Sequence, residues 1–574
     1  MIGGLEYCIF NKQDLLKNAS DFQYTKLCAM QSDSPSALIE STLNSISKSK
    51  GVFSDYQLGY TLHVPLLKFF KIKGSDFEID KDAIRRAVSS IRDVDRPMVL
   101  YLFSNHFGSD LPIEDALALN PKNLLVSQTG ILKKDKYYNI NIYPWSFAST
   151  GNQITHLREV AINAVFDELC KLPESAVKRV TGVTLLGELH HMFPDFQAGM
   201  GFNGDYLISD YSEESAADFK QYLKNRYKNI NNINDYLGSV YSSFDQINPP
   251  SKNIRKQKLN SYDEHIDAFA HGVLPISGWV AGNVKKPLKN PWIRIYKNGE
   301  FLTRVPVAFG RQDVLLAHPE LLSSDVGWNY NFDYSNLNSG LYKIDVFLEN
   351  SENSLTHLAT RDIAVMGKSQ LTPVAGYQKV LPESIDSNKD ILFSVDYPGN
   401  LSSYYYNPLV VLWHQFREEQ IKRYLSYFEK IVKNKCVNNN LIYSHQILPF
   451  VNPGWDVTKF AVGNDLAVPA SLRLGVSLYG EASYGTSFFD WFKTEKRAAY
   501  GVTEFHPLTA MPPDQLRTVL DRHYKNNAQF ISFFTEATGL EEDVTSKPNI
   551  FSFSPLNKNA GSDVLFHSVQ EILK

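Results

Sequence analysis

The feature that most constrains the fold of this 574-residue chain is a repeated alternation of apolar runs with amphipathic helical patterns. Before residue 190 the strand-like runs span 58–67, 96–107, 137–147 and 178–187. An aspartate opens the helical pattern over 80–93, and a second helical pattern covers 154–172. Strands that alternate with helices favour a parallel sheet, because each helix returns the chain to the starting edge of the next strand.

This alternation is interrupted in the middle of the chain. From about 273 to 367 the sequence shows short β segments, with the hairpin signal KNGE at 297–300 and no amphipathic period of helix length. The alternation then resumes with strand-like runs at 440–450, 472–480, 498–504 and 528–534. Four strands before the interruption and four after it make the number that closes a (β/α)8 barrel. The sequence predicts an α/β protein, a TIM barrel over 1–270 and 370–574 with an all-β sandwich inserted at 273–367.

Charge and hydropathy limit the classes of partner. The 58 basic and 62 acidic residues give a net charge of −4 without a long basic run, which argues against nucleic acid or an anionic membrane. We find no apolar window long enough to span a bilayer, and the N-terminus lacks the features of a signal peptide. The four cysteines are far apart in the chain, which predicts isolated reduced thiols and favours the cytoplasm. A secreted chain that has lost its leader would look the same.

Two glutamates follow apolar runs at positions where barrel enzymes carry their functional residues. Glu188 ends the fourth predicted strand in TLLGE, and Glu504 ends the seventh in YGVTE. Strands four and seven lie on opposite sides of a barrel mouth, so the two carboxyls can flank one substrate bond. Glycoside cleavage needs such a pair, one to protonate the departing oxygen and one to attack the anomeric carbon or activate water. The structural alternative is that each glutamate caps a helix or pairs with a lysine.

This arrangement resembles the clan A retaining (β/α)8 glycoside hydrolases, whose acid/base glutamate ends strand four and whose nucleophile ends strand seven. The run over 218–250 is similar to the segment that follows the acid/base residue in family 42 β-galactosidases. The matching residues there are Phe219, Leu223, Arg226, Tyr227, Leu237 and Gly238. The resemblance implies that Glu188 is the acid/base and Glu504 the nucleophile. The chain departs from the clan at Gly187, where the clan has an asparagine that binds the sugar 2-hydroxyl, so β-galactosidase activity itself does not carry over.

Further side chains near predicted strand ends are candidates for substrate binding. The resemblance places Tyr479 where the clan often has a tyrosine that hydrogen-bonds the nucleophile. The other candidates are polar or aromatic residues close to the predicted barrel mouth: Asn105, His106, Trp145, His190, His191, His445, Trp455 and Trp491. Each has core packing or capping as its structural alternative. No spacing typical of metal ligands occurs, so we expect neither a metal nor a cofactor.

The insertion has a resemblance of its own, to small β-sandwich modules attached to bacterial glycosyltransferases and other polysaccharide-gene proteins. Arg311, Asp313 and Val314 form the R-x-D-V turn of those modules. The resemblance implies either a structural spacer or a carbohydrate-binding face, in a surface-polysaccharide pathway. We therefore expect a retaining glycoside hydrolase that acts on a bacterial polysaccharide or oligosaccharide. The alternatives are a non-catalytic carbohydrate-binding or assembly protein on a degenerate barrel, and a transglycosylase.

Overall fold

Parallel strands run through both halves of this mixed α/β chain. In the computed structural model, the strands of a first group pair in the order Tyr60–Pro65, Met98–Phe103, Val180–Leu186 and Ile442–Tyr443. A second group pairs in the order Leu474–Tyr479, Tyr500–His506 and Ala528–Ile531. Parallel bridges from Tyr443 to Arg473 and from Gln446 to Val476 connect the two groups. Seven of the predicted runs therefore lie beside one another in parallel.

The predicted strand over 137–147 lies elsewhere. Met98–Phe103 pairs directly with Val180–Leu186, and Ile140–Ile142 instead forms an antiparallel hairpin with Asp135–Tyr137. The physical reason is burial, because all residues of this hairpin except the buried Ile142 are exposed or half-buried, whereas strands of a parallel sheet are covered on both faces. A parallel strand that the sequence did not predict, Ile2–Gly3, pairs with Thr535–Glu536 and contacts Tyr60–Pro65.

Helices alternate with these strands much as the periodicity predicts. The Asp80 side chain accepts a hydrogen bond from the Ala83 amide (3.0 Å) and caps Lys81–Asp93, so the predicted aspartate cap is confirmed. In the described part of the chain, the other helices of six or more residues are Ser36–Ile46, Pro112–Ala118, Gln153–Leu169, Glu213–Tyr227, Ile230–Leu237, Gln312–Ala317, Pro408–Lys433, Ser487–Thr494, Pro513–Lys525 and Ser562–Ile572. Short helices occur at Glu6–Phe10, Glu174–Val177, Phe196–Gly199, Val457–Phe460 and Glu481–Tyr484. The largest hydrophobic core lies between the parallel strands and their helices.

The middle of the chain forms two sheets that share a second core, and we call the described residues between 273 and 405 the β module. One sheet has the order Phe309–Gly310, Asp325–Asp333, Val273–Gly282 and Ile391–Tyr397. The other has the order Glu300–Pro306, Trp292–Lys297, Gly340–Glu349, Leu355–Met366 and Ser402–Tyr405. Asn298 and Gly299 both have positive φ in the predicted hairpin turn. The two sheets thus include strands beyond residue 367, where the sequence placed the end of the insertion.

The structure describes residues 1–10, 26–28, 34–48, 52–53, 56–74, 76–104, 106–108, 111–138, 140–282, 287–321, 323–349, 355–368, 391–537 and 551–574. Within these residues, no helix combines the length and the apolar character that crossing a bilayer requires.

The four cysteines correct the expectation of isolated reduced thiols, because they form the disulfides Cys8–Cys28 and Cys170–Cys436. Cys170 ends the helix Gln153–Leu169, and Cys436 follows Pro408–Lys433, which packs against that helix. A sequence separation of 266 residues gives no local sign of this pairing. The part of the preference for the cytoplasm that rested on reduced cysteines is therefore removed.

We expect the purified protein to show no alkylation by iodoacetamide after denaturation unless a reductant is added. The double variant Cys170→Ser/Cys436→Ser should lose about 2–5 kcal/mol of stability, because the disulfide restricts a long loop of the unfolded chain. Cys8→Ser/Cys28→Ser is the matched comparison, and its smaller loop should make its loss about 2 kcal/mol less. Mass spectrometry and thermal denaturation measure both effects. Four alkylated cysteines without reductant would contradict the pairing.

Candidate active site

A sharp turn at the end of Val180–Leu186 presents Glu188. Leu186 has a φ of +62° and Gly187 a φ of +91°, and the Gly187 amide donates to the Leu185 carbonyl at 2.8 Å. A φ of this kind favours glycine, since it has no Cβ to meet the neighbouring backbone. Gly187, the position at which the sequence departs from clan A, therefore serves the turn that places Glu188 beyond the strand.

A bulge in Tyr500–His506 determines where Glu504 points. The strand pairs Val476 with Val502 and then Ser477 with Glu504, which leaves Thr503 as the extra residue. An extra residue of this kind re-aims the side chains that follow it. Glu504 is consequently 24% exposed at its side chain, while the flanking Thr503 and Phe505 are buried.

The two glutamates meet around His445. One oxygen from each carboxylate and a ring nitrogen of His445 all lie within 4.8 Å of one another. His445 Nε2 lies 3.2 Å from Glu504 Oε1, and the Tyr479 hydroxyl donates to Glu504 Oε2. Both oxygens of Glu504 are thus held by neighbouring side chains, and its carboxylate has a fixed orientation.

The surroundings separate the pKa values of the two carboxyls. Burial, together with the negative charge of Glu504, raises the pKa of Glu188 to about 8. Burial also opposes the ionisation of Glu504, but the bonds and charge from His445 and the bond from Tyr479 outweigh it, and the pKa of Glu504 lies below its usual value. Near neutral pH the pair consists of a protonated Glu188 and an ionised Glu504.

Tyr101 is a neighbour of the pair that the sequence did not single out. Its ring stacks on the His445 ring with centroids 4.3 Å apart and planes inclined by 24°. Burial and the charges of Glu504 and Glu188 raise its pKa well above the usual value, so its hydroxyl stays protonated. The signal in the sequence is weak, because Tyr101 lies within the apolar run MVLYLF rather than at its end.

Two predicted histidines lie in a separate buried environment. His191 is fully buried, with Nδ1 3.3 Å from Ser209 Oγ and Nε2 3.3 Å from the Arg417 carbonyl oxygen. His190 is buried as well; its Nδ1 donates to the His191 carbonyl at 2.9 Å, and its ring stacks on Phe196. These contacts are part of the buried packing of the segment that follows Glu188 in the chain.

The remaining candidates are placed mainly by aromatic packing. Trp145 is 4% exposed and lies flat on Tyr143, with ring centroids 4.9 Å apart. Trp491 donates to the Asn464 carbonyl at 2.7 Å, and Trp455 stacks on Phe460. His106 is buried beside His190, and Asn105 lies outside the described residues. The structure thus gathers Glu188, Glu504, Tyr479 and His445 into one cluster.

Glu188, His445 and Glu504 also have the spacing at which three side chains can hold a metal ion. The observed bonds account for this grouping without one, because His445 and Tyr479 already occupy both oxygens of Glu504.

The family model of the glycoside hydrolase family 42 β-galactosidases matches residues 200–267 of this chain. The match contains the segment 218–250 on which the resemblance rested. The chain thus carries a glycoside hydrolase family 42 signature, and the predicted resemblance to this family is confirmed. The match ends short of both glutamates, so their roles belong to the proposal below.

Among solved structures, the polyextremophilic β-galactosidase of the Antarctic haloarchaeon Halorubrum lacusprofundi is 10% identical, with a TM-score of 0.38. That alignment covers 85% of this chain and 50% of the β-galactosidase, so the chain spans half its length. The catalytic domain of the Paenibacillus polymyxa β-amylase is 10% identical with a TM-score of 0.42, over 89% of this chain and 95% of that domain. No curated protein has a significant sequence match.

Proposed function

We propose that this chain is a retaining glycoside hydrolase that cleaves a bacterial polysaccharide or oligosaccharide, with Glu188 as acid/base and Glu504 as nucleophile. The observation that carries the proposal is that one carboxyl oxygen of Glu188 lies within 4.8 Å of one of Glu504. The surroundings of the pair raise the pKa of Glu188 and lower that of Glu504. Retaining enzymes hold their carboxyl groups about 5–5.5 Å apart, whereas inverting enzymes leave about 6.5–9.5 Å for a water molecule. The family 42 signature supports the same reaction class.

The reaction proceeds in two displacements. Glu504 attacks the anomeric carbon while Glu188 gives its proton to the departing oxygen, so the glycosidic bond breaks and a glycosyl ester forms. Glu188, now ionised, takes a proton from water, which attacks the anomeric carbon and releases Glu504. His445 and Tyr479 hold the nucleophile ionised and oriented before the first step.

The proposed architecture is a closed (β/α)8 barrel that carries the β module as an inserted sandwich. The parallel pairings support the barrel, with Ile2–Gly3 as its first strand, Val180–Leu186 as the fourth and Tyr500–His506 as the seventh. The β module reaches the segment after Glu188, where the Tyr397 hydroxyl donates to Asn203 Oδ1 at 2.9 Å. This contact supports a module that borders the substrate cleft. The two disulfides support an oxidising compartment as the site of action.

The anomeric configuration of the first-formed product tests the mechanism. We expect hydrolysis of at least one member of a panel of nitrophenyl glycosides and bacterial exopolysaccharides, unaffected by a chelator. Proton NMR should show the substrate's own anomeric configuration in that product, because two inversions restore it. The inverted anomer would exclude Glu504 as nucleophile, and saccharide binding without cleavage would favour the carbohydrate-binding alternative. Predominant transfer to an added acceptor sugar would indicate a transglycosylase.

Tyr479→Phe should lower kcat by about 10- to 100-fold, because the nucleophile loses a preorganised hydrogen bond. The acid limb of the kcat/KM profile should move to higher pH, since that bond helps to keep the pKa of Glu504 low. The ring contact with Phe551 remains, so Tm should change little. Tyr427→Phe is the matched control, because it removes the hydrogen bond from another tyrosine hydroxyl to a glutamate, Glu159 on the helix Gln153–Leu169. An unchanged acid limb in Tyr479→Phe would remove this role from Tyr479.

A further inference from the structure

His63 is a half-buried histidine on the side of the parallel strands where Glu504 lies. It is on Tyr60–Pro65, directly opposite Tyr101 of the neighbouring strand, so the two side chains share one face of the sheet. Their ring centroids are 5.4 Å apart, and the Tyr101 ring stacks on His445, whose Nε2 lies 3.2 Å from Glu504 Oε1. Two ring contacts therefore connect His63 to the side chain that holds the candidate nucleophile.

Solvent reaches both ends of this row of side chains. The side chain of His63 is 22% exposed and that of Glu504 24%, whereas Tyr101, which contacts both histidines of the row, is buried. The His63 ring also packs on Phe103, with centroids 4.5 Å apart. Because His63 and Glu504 are both accessible on one side of the strands, a sugar bound at Glu504 can extend to His63.

A carboxylate orients the His63 ring. Glu6 Oε1 lies 3.5 Å from His63 Nδ1, and Glu6 Oε2 lies 3.9 Å from Lys68 Nζ. Burial opposes the ionisation of Glu6, but the bond and charge from His63 and the charge of Lys68 outweigh it, so the pKa of Glu6 lies below its usual value. An ionised carboxylate beside Nδ1 keeps a proton on that nitrogen, which leaves Nε2 as the nitrogen that can bind a ligand.

A sugar hydroxyl is the ligand group that fits Nε2. It can donate to the neutral ring and accept from the protonated one, so it bonds Nε2 in either state. A carboxylate on the sugar fits less well. Burial and the charge of Glu6 raise the pKa of Glu536, at the end of Thr535–Glu536, to about 7. A carboxylate on the sugar would therefore meet two further acidic groups, Glu6 and Glu536.

We propose that His63 is a specificity-determining residue, whose Nε2 bonds one hydroxyl of the glycosyl unit that Glu504 attacks, and that this unit carries no carboxylate. Glu6 is a positioning residue that acts through His63. This inference rests on the proposed function and deepens it by naming the class of sugar at the site. The sequence did not single out His63, because it lies inside the apolar run over 58–67.

Monodeoxy analogues of the best nitrophenyl glycoside, each lacking one hydroxyl, test the contact. In the unmodified protein, kcat/KM should fall by about tenfold or more when the hydroxyl that His63 bonds is removed. His63→Phe keeps a ring beside Tyr101 and Phe103 but has no ring nitrogen. For that one analogue, the ratio of parent to analogue kcat/KM should therefore fall to about twofold or less in the variant, while the other ratios stay unchanged.

The matched control is His318→Gln, which changes a partly exposed histidine paired with Glu320 in the β module and should keep every ratio. Ratios in His63→Phe that equal those of the unmodified protein at every position would overturn the contact, since a purely structural role lowers kcat/KM for parent and analogues alike. Faster cleavage by the unmodified protein of the uronic acid analogue than of the parent glycoside would overturn the class of sugar.

A second variant carries the test if His63→Phe does not fold. Glu6→Gln puts a neutral amide beside Nδ1, so the same single ratio should fall by about threefold or more, and an unchanged ratio would overturn the role of Glu6 and His63. Hydrolysis of no panel member by the unmodified protein would instead contradict the proposed function. Calorimetry with the free parent and deoxy sugars then tests the contact by itself, and a ratio of affinities that His63→Phe leaves unchanged would overturn it.

Discussion

Replacing Glu504 with glutamine is expected to reduce kcat by about 10⁴-fold or more. Glutamine keeps the shape of the side chain and can still bond His445 and Tyr479, but its neutral amide does not form the glycosyl ester. Initial rates on the best substrate of the glycoside panel measure the loss, and thermal denaturation checks that the fold is intact.

The matched control for this variant is Glu481→Gln. Glu481 follows the neighbouring strand Leu474–Tyr479 and bonds Ser487, so the change removes a nearby carboxylate outside the candidate pair. We expect its kcat to stay within a few-fold of the unmodified protein. Retention of more than a tenth of the activity in Glu504→Gln would show that Glu504 is not the nucleophile.

The loss in Glu188→Gln is expected to depend on the leaving group. Glycosides with poorly acidic leaving groups should lose about 10²–10⁴-fold in kcat/KM, because they need the proton that Glu188 supplies. Dinitrophenyl glycosides should lose less than about tenfold in the same parameter, since their leaving group departs as an anion without general-acid help. A steep dependence of rate on leaving-group acidity would therefore appear only in the variant.

The pH profile gives a second measure of the same role. In the unmodified protein, kcat/KM should fall above about pH 8, since the pKa of Glu188 is raised to about 8 and its proton is lost above that pH. Glu188→Gln should lack this alkaline limb. At lower pH, the remaining activity of the variant should persist down to the pH at which Glu504 becomes protonated. A loss that is equal for all leaving groups, with the alkaline limb unchanged, would remove the acid role from Glu188.

The sequence predicted where the parallel strands lie along the chain better than it predicted which strands pair with one another. The pattern of apolar residues indicates which segments are buried. It located the ends of Val180–Leu186 and Tyr500–His506 to within two residues. It also suggested a strand over 137–147 and missed Ile2–Gly3. Periodicity does not record which segments pair, and a two-residue strand is too short to show a period. Glu188 and Glu504 nevertheless follow the predicted apolar runs, and the structure brings them together.

Contacts between residues that are far apart in the chain could not be predicted from the sequence. Cys170 pairs with Cys436, and Tyr101 stacks on His445. The sequence around Cys170 and around Tyr101 contains no feature that indicates these partners. The disulfide expectation failed because spacing along the chain says nothing about spacing in the fold. His191 was a candidate because of its place beside Glu188, but its contacts with Ser209 and Arg417 are buried ones.

The sequence by itself determined which two carboxyls are candidates, because the position of Glu188 and Glu504 after buried strands can be read from the order of apolar and polar residues. It could not separate their roles from the residues alone, since two glutamates have the same intrinsic pKa of about 4.3. Only the tertiary structure separates their pKa values, by placing His445 and Tyr479 on Glu504 and leaving Glu188 to burial and to the charge of its neighbour.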